Sequence, residues 1–432
     1  METSAAPAIN VTAWPGCPSR LLGDRPGHTR ESYPAYQELG GYRSLADPDA
    51  LLEEIERSGL QGRGGAAFPL AIKLRAVRDN GRAAGGSVVV ANGEEGEPTS
   101  IKDRWLLRYR PHLVLDGLRL AATIVAADRA HIYVSDPDSA RSVEAALTER
   151  PFGDITVELC NVPPGYIAGE ETAVTRAING GPVKPTDKPP RPFQAGVSGL
   201  PTLVSNVETL ANLPYLQLHG AAAFRSQGTS VSPGTFLATL TGAGRPPGLY
   251  EIPLGLPFTE LLARHGVSPQ QVRGALLGGY FAGLLNRAVL DATLDYETLR
   301  GLGSGLGCGA ITVITDDCPV AVAASVLAYF DRENAGQCGS CFNGTAAMAA
   351  VAGALRDGVA TSEDLTRLRH WSVTLRGRGA CATLDAATNM AASLLDQFPA
   401  EVAGHLDNTC ETCRTDAFRA QRPYEVEAVM PA

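Results

Sequence analysis

Ser87-Val-Val-Val-Ala-Asn-Gly-Glu-Glu-Gly-Glu-Pro98 decides how the chain folds. Ser87 to Ala91 is a short, β-branched apolar run, which suits a strand buried on both faces. It stops at once in a loop of glycines and carboxylates. Two more such runs follow, His131 to Ser135 and Ile155 to Leu159. The stretches between them, Leu113 to Ala126 and Ala140 to Glu149, have helical character. Strands alternating with helices predict an α/β fold built on a doubly wound parallel sheet. Ligands of such sheets bind at the carboxyl ends of the strands, where Asn92 to Pro98 begins.

Upstream, Asp47 to Ser58 reads as a capped helix with Leu51, Leu52 and Ile55 on one face. Gly62-Arg-Gly-Gly-Ala-Ala-Phe68 then precedes a second helix around Leu70 to Arg78. The first 40 residues read as a mostly irregular arm. Downstream, Pro182 to Pro201 holds six prolines and predicts a fixed loop. Leu203 to Leu213 reads as a strand running into a helix. From Gly234 to about Thr315, short strands joined by Gly/Pro turns predict a small α+β module. After Asp316, Asp317 and Pro319 the chain reads as four helices to Phe398. The resulting division is an arm with a glycine loop (1–73), a sheet domain (74–232), the α+β module (233–316), a helical bundle (317–400) and a tail (401–432) in which no fold is evident.

The bulk numbers exclude several functions. With 44% hydrophobic and 19% charged residues in 432, the chain is a globular protein of several domains. A net charge of −9 argues against nucleic acid as a partner. No apolar run reaches the roughly 18–20 residues needed to span a bilayer, and the N-terminus has no secretory pattern. The expectation is a cytoplasmic protein, acting free or peripheral to a membrane-bound respiratory complex, without membrane insertion of its own. Nine cysteines form no evident disulfide framework. Cys17, Cys160, Cys308 and Cys318 read as packing residues, whereas Cys338/Cys341 and Cys410/Cys413 form C-x-x-C pairs. Such a pair alone suits zinc, redox exchange or nothing.

Three glycines within Gly62 to Gly65 let backbone N–H groups approach a phosphate at a helix start, and Lys73 can supply a counter-charge. An ordinary turn explains the same residues. Asn92 to Pro98 crowds three carboxylates, which suit sugar hydroxyls or a carboxamide, or simply water. Tyr166-Ile-Ala-Gly-Glu-Glu-Thr172 is a second such cluster. Val204-Ser-Asn-Val-Glu-Thr209 offers groups that bind a polar ring edge.

Together and in this order, these motifs resemble the NADH- and FMN-binding flavoprotein subunit of respiratory complex I and the diaphorase subunits of hydrogenases and formate dehydrogenases. The resemblance is carried by Gly62 to Phe68, by Gly93-Glu-Glu-Gly-Glu-Pro98 with Lys102-Asp-Arg104, by Tyr166 to Ala173, by Ser205 to Asn212, and by Gly336-Gln-Cys-Gly-Ser-Cys341. It implies a Rossmann-like FMN/NADH domain, a ubiquitin-like (β-grasp, SLBB-type) module at 233–316 and a bundle carrying an iron–sulfur cluster. It places FMN at Gly62, Gly64, Lys73, Asn92, Glu94, Gly96, Gly169, Glu170, Val204, Asn206 and Thr209, and counts Arg63, Gly65, Tyr166 and Glu171 with the cofactor-binding residues. It sets Phe68 against the nucleotide and makes Glu95 and Glu97 the catalytic-site carboxylates near the nicotinamide. The implied activity is hydride transfer from NADH to FMN, then single electrons to the cluster. The implied partner is a small thioredoxin-like 2Fe–2S subunit or another acceptor.

The chain departs from the family at two places. Cys338, Cys341 and Cys381 match three cluster ligands, but Ala335 stands where the first thiolate belongs. A 3Fe–4S cluster, a 4Fe–4S cluster completed by water, a carboxylate or a tail cysteine, and a flavin-only diaphorase are all compatible with this, as is a non-catalytic assembly module. At the nucleotide site, Leu74-Arg-Ala-Val77 lacks the family's second aromatic. Arg75 and Arg78 leave NADPH open beside NADH.

Overall fold

The computed structural model describes residues 9–23, 29–150 and 152–429. Val88, Val89, Val90 and Ala91 have no exposed surface; they form the centre of β1 (Val88–Asn92). Helices cover both faces of the sheet, which is why this strand is apolar throughout rather than alternating. β2 (Arg129–Val134), β3 (Thr156–Asn161) and β4 (Thr202–Asn206) complete a four-stranded, all-parallel sheet in the order β3-β2-β1-β4. The chain winds outward from β1 to β3, then returns to the other side of β1 as β4. That reversal creates a topological switch point between β1 and β4, whose carboxyl-terminal residues Asn92 and Asn206 are register partners.

The surrounding helices are α1 (Pro48–Ser58), α2 (Leu70–Ala84), α3 (Lys102–Tyr109), α4 (Pro111–Ile124), α5 (Pro137–Glu149), α6 (Glu171–Ile178) and α7 (Val207–Ala211). Asp47 caps α1 by accepting Asp49 N–H and Ala50 N–H, and Gly59 ends it in the left-handed region.

β5 (Thr235–Gly242), β6 (Gly248–Pro253), β7 (Gly274–Leu277), β8 (Leu284–Leu285) and β9 (Ala310–Ile314) form a second, mixed sheet. Its central pair, β5 and β9, is parallel, and α8 (Phe258–His265) packs Phe258, Leu261 and Leu262 beneath it. The N-terminal arm is more ordered than its composition suggests. Asn10–Ala13 adds a parallel edge strand beside β6, and buried Glu251 holds the arm by accepting the backbone N–H groups of Arg20, Leu21 and Leu22.

The helical end consists of α9 (Pro319–Glu333), α10 (Gly339–Arg356), α11 (Ser362–Thr374), α12 (Thr383–Gln397), α13 (Pro399–Leu406) and α14 (Glu411–Asp416). α9 is buried on nearly every side, as its alanine-rich sequence requires. The tail is not without fold: α13 and α14 lie in it. Each is too short to show helical periodicity, and α13 is fixed by burying Val402 and His405 against the bundle.

Candidate functional site

The glycine loop crosses the switch point. Gly62 N–H donates to Phe68 O and Leu70 N–H to Leu60 O, closing the loop at its base. Arg63 is buried; its N–H donates to Thr209 Oγ1 (2.8 Å) and its guanidinium to Tyr296 OH (2.7 Å) and Thr235 O (3.1 Å). These bonds tie the loop to α7 and to the second sheet. Gly64 lies on Asn206: an added Cβ would meet the asparagine Cβ at 3.1 Å. Gly65 has φ +119°, which favours glycine. Phe68 is 51% exposed, available to a ligand. Lys73, on the first turn of α2, donates to Val204 O (2.6 Å) and faces Glu171 at 3.5 Å. Burial lowers its pKa, with Glu171 acting against that.

Across the crevice, Asn92 Nδ2 donates to Gly169 O (2.8 Å). Gly169 approaches so closely that a Cβ would stand 2.9 Å from Glu94 Oε2. Gly96 is equally confined, a Cβ there falling 2.6 Å from Gly165 O. Glu170 caps α6 by accepting Thr172 N–H and Ala173 N–H, and pairs with Lys188.

The three carboxylates of the acidic loop have different settings. Glu94 is buried; Oε1 accepts Ser135 Oγ–H (3.3 Å) and Gly165 N–H (3.4 Å), while Oε2 has no hydrogen-bond partner. Burial pushes its pKa up to about 8. Glu97 accepts from Thr99 (2.8 Å) and from Tyr280 N–H (3.0 Å), and burial raises it to about 7. Glu95 turns inward. It accepts Ser100 Oγ–H (2.5 Å), Asp103 N–H (3.2 Å) and Arg104 N–H (3.0 Å), and pairs with Arg104 Nε at 3.3 Å. Its oxygens thus satisfy free donors in the first turn of α3.

Below the crevice lies a buried network that the sequence did not reveal as such. Lys102, with no exposed surface, contacts Asp103 (2.7 Å), Glu208 (3.0 Å) and Asn206 Oδ1 (3.3 Å). Burial opposes its charge, but the neighbouring carboxylates of Asp103, Glu208 and Glu95 prevail and raise its pKa. Glu208 also accepts Leu237 N–H (3.0 Å), joining α7 to β5. In the sequence, Lys102-Asp103-Arg104 is only a motif of the family resemblance. Only the fold brings Glu208 against it.

These residues fit a flavin nucleotide. There is a loop of small residues, a lysine, and a buried carboxyl oxygen without a partner, all at the strand ends where such sheets bind ligands.

Cys338, Cys341 and Cys381 line one cleft together with Ala335 and Gly336. Cys338 Sγ accepts Ala380 N–H at 3.4 Å. Burial, then the Cys381 and Cys338 thiols, push Cys341 up to about 12. Three thiols fit an iron–sulfur cluster held at three corners; the Ala335 methyl supplies no fourth ligand. Cys410 and Cys413 do not supply it either. They gather with Cys318 and His405, all four ligand atoms lying within 4.8 Å of one another. Cys318 precedes α9 and Ala335 follows it, so about 22 Å of helix separates the two groups. This corrects the reading of the tail cysteines as substitute cluster ligands; Cys318 is buried in the helical core, as a packing residue is, and also faces this group.

The switch-point crevice and the cysteine cleft share a wall. The Tyr166 ring packs edge-on against Phe330 (5.3 Å) and Tyr329 (5.7 Å) of α9, and its N–H reaches Glu333 at 3.4 Å. Lys184 Nζ donates to Ala335 O (2.8 Å), and Gln337 bonds Arg176 and Pro185 O. Residues 165–188 therefore touch Glu94 and Asn92 at one end and the cysteine loop at the other.

Arg75 and Arg78 are already paired with Glu56 and Asp49. Both pairs lie at the surface, with the acid more than half exposed in each. No helix among the described residues is long and apolar enough to cross a membrane.

Comparison with known proteins agrees with this geometry. Residues 55–215 match the Nuo51 FMN-binding domain, and residues 321–405 match the NADH-ubiquinone oxidoreductase-F iron–sulfur binding region. The F 2 subunit of NADH-quinone oxidoreductase in Rhizobium meliloti (strain 1021) is 32% identical, covering 86% of this chain and 94% of the relative. The NADP-reducing hydrogenase subunit HndC of Solidesulfovibrio fructosivorans is 32% identical over 92% of this chain and 85% of its own. A crystal structure of an NAD+-reducing nickel–iron hydrogenase in the H2-reduced state superposes with a TM-score of 0.78 at 29% identity, over 88% of this chain and 67% of that one. The chain belongs to the family of NADH dehydrogenase-type flavoproteins that includes the F subunits of NADH-quinone oxidoreductases, with an FMN-binding domain and an iron–sulfur binding region.

Proposed function

We propose that this chain is the electron-input subunit of a larger assembly, taking hydride from NADH at the switch-point crevice and releasing single electrons through the Cys338/Cys341/Cys381 cleft. Bound FMN supplies the chemistry that joins a two-electron donor to one-electron acceptors. The chain's residues bind, orient and shield. Gly62, Gly64 and Gly65 let backbone approach the phosphate, and Lys73 adds positive charge beside it. Asn92, Val204, Asn206 and Thr209 set the crevice floor, and Gly96, Gly169, Glu170 and Glu171 shape its far wall. Glu94, protonated below about pH 8, offers a hydrogen-bond donor at its unpartnered oxygen. Glu97 is the carboxylate best placed to serve the nicotinamide side. Glu95 acts through α3 as a positioning residue. Phe68, exposed at the loop, grips the nucleotide by stacking.

The observation that carries this reading is the shared wall: Tyr166 and residues up to Lys188 contact both centres. NADPH is the weaker donor candidate, since Arg75 and Arg78 are paired with acids. A thioredoxin-like 2Fe–2S subunit is the partner this reading calls for. Ala335 favours a second reading, a flavin-only diaphorase that passes electrons elsewhere, and iron content separates the two. Anaerobically purified protein should be yellow, carry one FMN and reduce ferricyanide with NADH. Colourless protein that neither takes up FMN nor reduces ferricyanide overturns the proposal.

A further inference from the structure

Two segments 87 residues apart in sequence, Cys318 and the run from His405 to Cys413, bring four metal-ligating side chains to one point. Cys318 stands just before α9, His405 in the last turn of α13, Cys410 just before α14 and Cys413 within it. Cys318 and His405 are buried. Cys318 Sγ lies 3.9 Å from Cys410 Sγ and 3.7 Å from His405 Nε2. A tetrahedral zinc with its usual Zn–S and Zn–N bonds sets these edges at about 3.8 Å and about 3.6 Å. A disulfide needs about 2.05 Å, and a four-iron cluster spreads its ligands over separate irons, farther apart than this. His405 Nδ1 lies 2.7 Å from Glu401 O. A proton donated there leaves Nε2 as a free lone pair facing the three sulfurs, the outer bond that metal-bound histidines use. Cys318, Cys410 and Cys413 all fall outside the matched iron–sulfur region, which ends at His405.

We propose that Cys318, His405, Cys410 and Cys413 bind one Zn2+ in a closed, four-ligand structural site. It has no open position, so its role is mechanical. Beyond α14 the chain turns back across the molecule. Tyr424 OH donates to Asp317 (2.6 Å), Val426 N–H to Pro98 O (3.0 Å), and Glu427 pairs with Arg108 (2.8 Å) while its carbonyl accepts Arg104 (2.7 Å). The zinc therefore fixes the start of a strap whose far end braces the acidic loop and α3.

The test is metal analysis of the full-length protein purified without chelator. About one zinc per chain is expected, with an X-ray absorption shell of three sulfurs and one nitrogen. Replacing Cys410 and Cys413 with serine should remove it and raise hydrogen exchange across residues 418–429. The Cys338→Ser/Cys341→Ser/Cys381→Ser variant should lose iron and keep zinc. Zinc-free wild-type protein, iron in the three-sulfur, one-nitrogen shell, a Cys410–Cys413 disulfide as isolated, or zinc that departs with the Cys338 group overturns the proposal. Should the tail variant be insoluble, the wild-type absorption shell decides alone. None of these readouts depends on FMN or NADH turnover, so failure here and failure of the oxidoreductase reading are distinguishable.

Discussion

Gly64 rests against Asn206 at the switch point, and a methyl group there would fit only if the asparagine gave way by a few tenths of an ångström: an added Cβ would stand 3.1 Å from the asparagine Cβ. Asn206 is itself held by Asp103 (2.7 Å) and Lys102, so it cannot give way cheaply. Gly64→Val should weaken FMN retention roughly tenfold or more, equivalent to about 1.4 kcal/mol. Measured as FMN per chain after gel filtration, the loss should exceed that of Gly301→Val, an exposed glycine with open space around it and no positive φ. Equal losses would place the flavin elsewhere.

Glu94 and Glu97 make stability fall with rising pH. Both have folded pKa values raised by burial, to about 8 and about 7, above the ordinary 4.5. Between pH 4.5 and those values the unfolded chain is ionised while the folded one still holds the proton, so each carboxyl costs up to about 1.4 kcal/mol per pH unit. The loss is complete above about pH 8. Glu94→Gln should flatten the fall in unfolding midpoint between pH 5 and pH 8. An unchanged slope would show that Glu94 is ionised in the folded protein.

Lys102 is the cation on which two buried carboxylates depend. With Asp103 at 2.7 Å and Glu208 at 3.0 Å, removing it leaves negative charge without a partner in a dry site. Lys102→Met should destabilise the chain by about 3–5 kcal/mol in chemical denaturation. Adding Glu208→Gln should recover part of that loss. Independent, additive effects would show that the pair does not act as a unit.

The parallel sheet was legible because β1 announces itself: a β-branched run buried on both faces, ending in a glycine-rich acidic loop. The bundle was legible because α9 is apolar all round. Lys102, Asp103 and Arg104 could be placed in a motif but not in a buried network, because a partner for the lysine lies a hundred residues later, at Glu208. Glu95 looked like its neighbours in the acidic loop, yet backbone donors of α3 claim it. The Cys318–His405–Cys410–Cys413 group was half visible as a C-x-x-C pair. His405, five residues before Cys410, was a local signal that went unread, whereas Cys318 comes from before α9 and only the fold brings it to the other three.

Ala335 sets the composition of the cysteine cleft. Its backbone is already fixed: the carbonyl accepts Lys184 Nζ, and Gly336 N–H donates to Asn334 Oδ1 at 2.9 Å. A side chain at 335 therefore enters a loop that is folded without it, beside Cys338 and Cys341. Ala335→Cys should raise iron from about three to about four per chain. The paramagnetic signal of a 3Fe–4S cluster should vanish from the protein as isolated. Zinc content should not change, because the second group lies at the other end of α9. A variant with the same iron and the same spectrum as the parent would mean that the 335 side chain does not reach the cluster position, and the match of this loop to the family's cluster loop would fail at that residue.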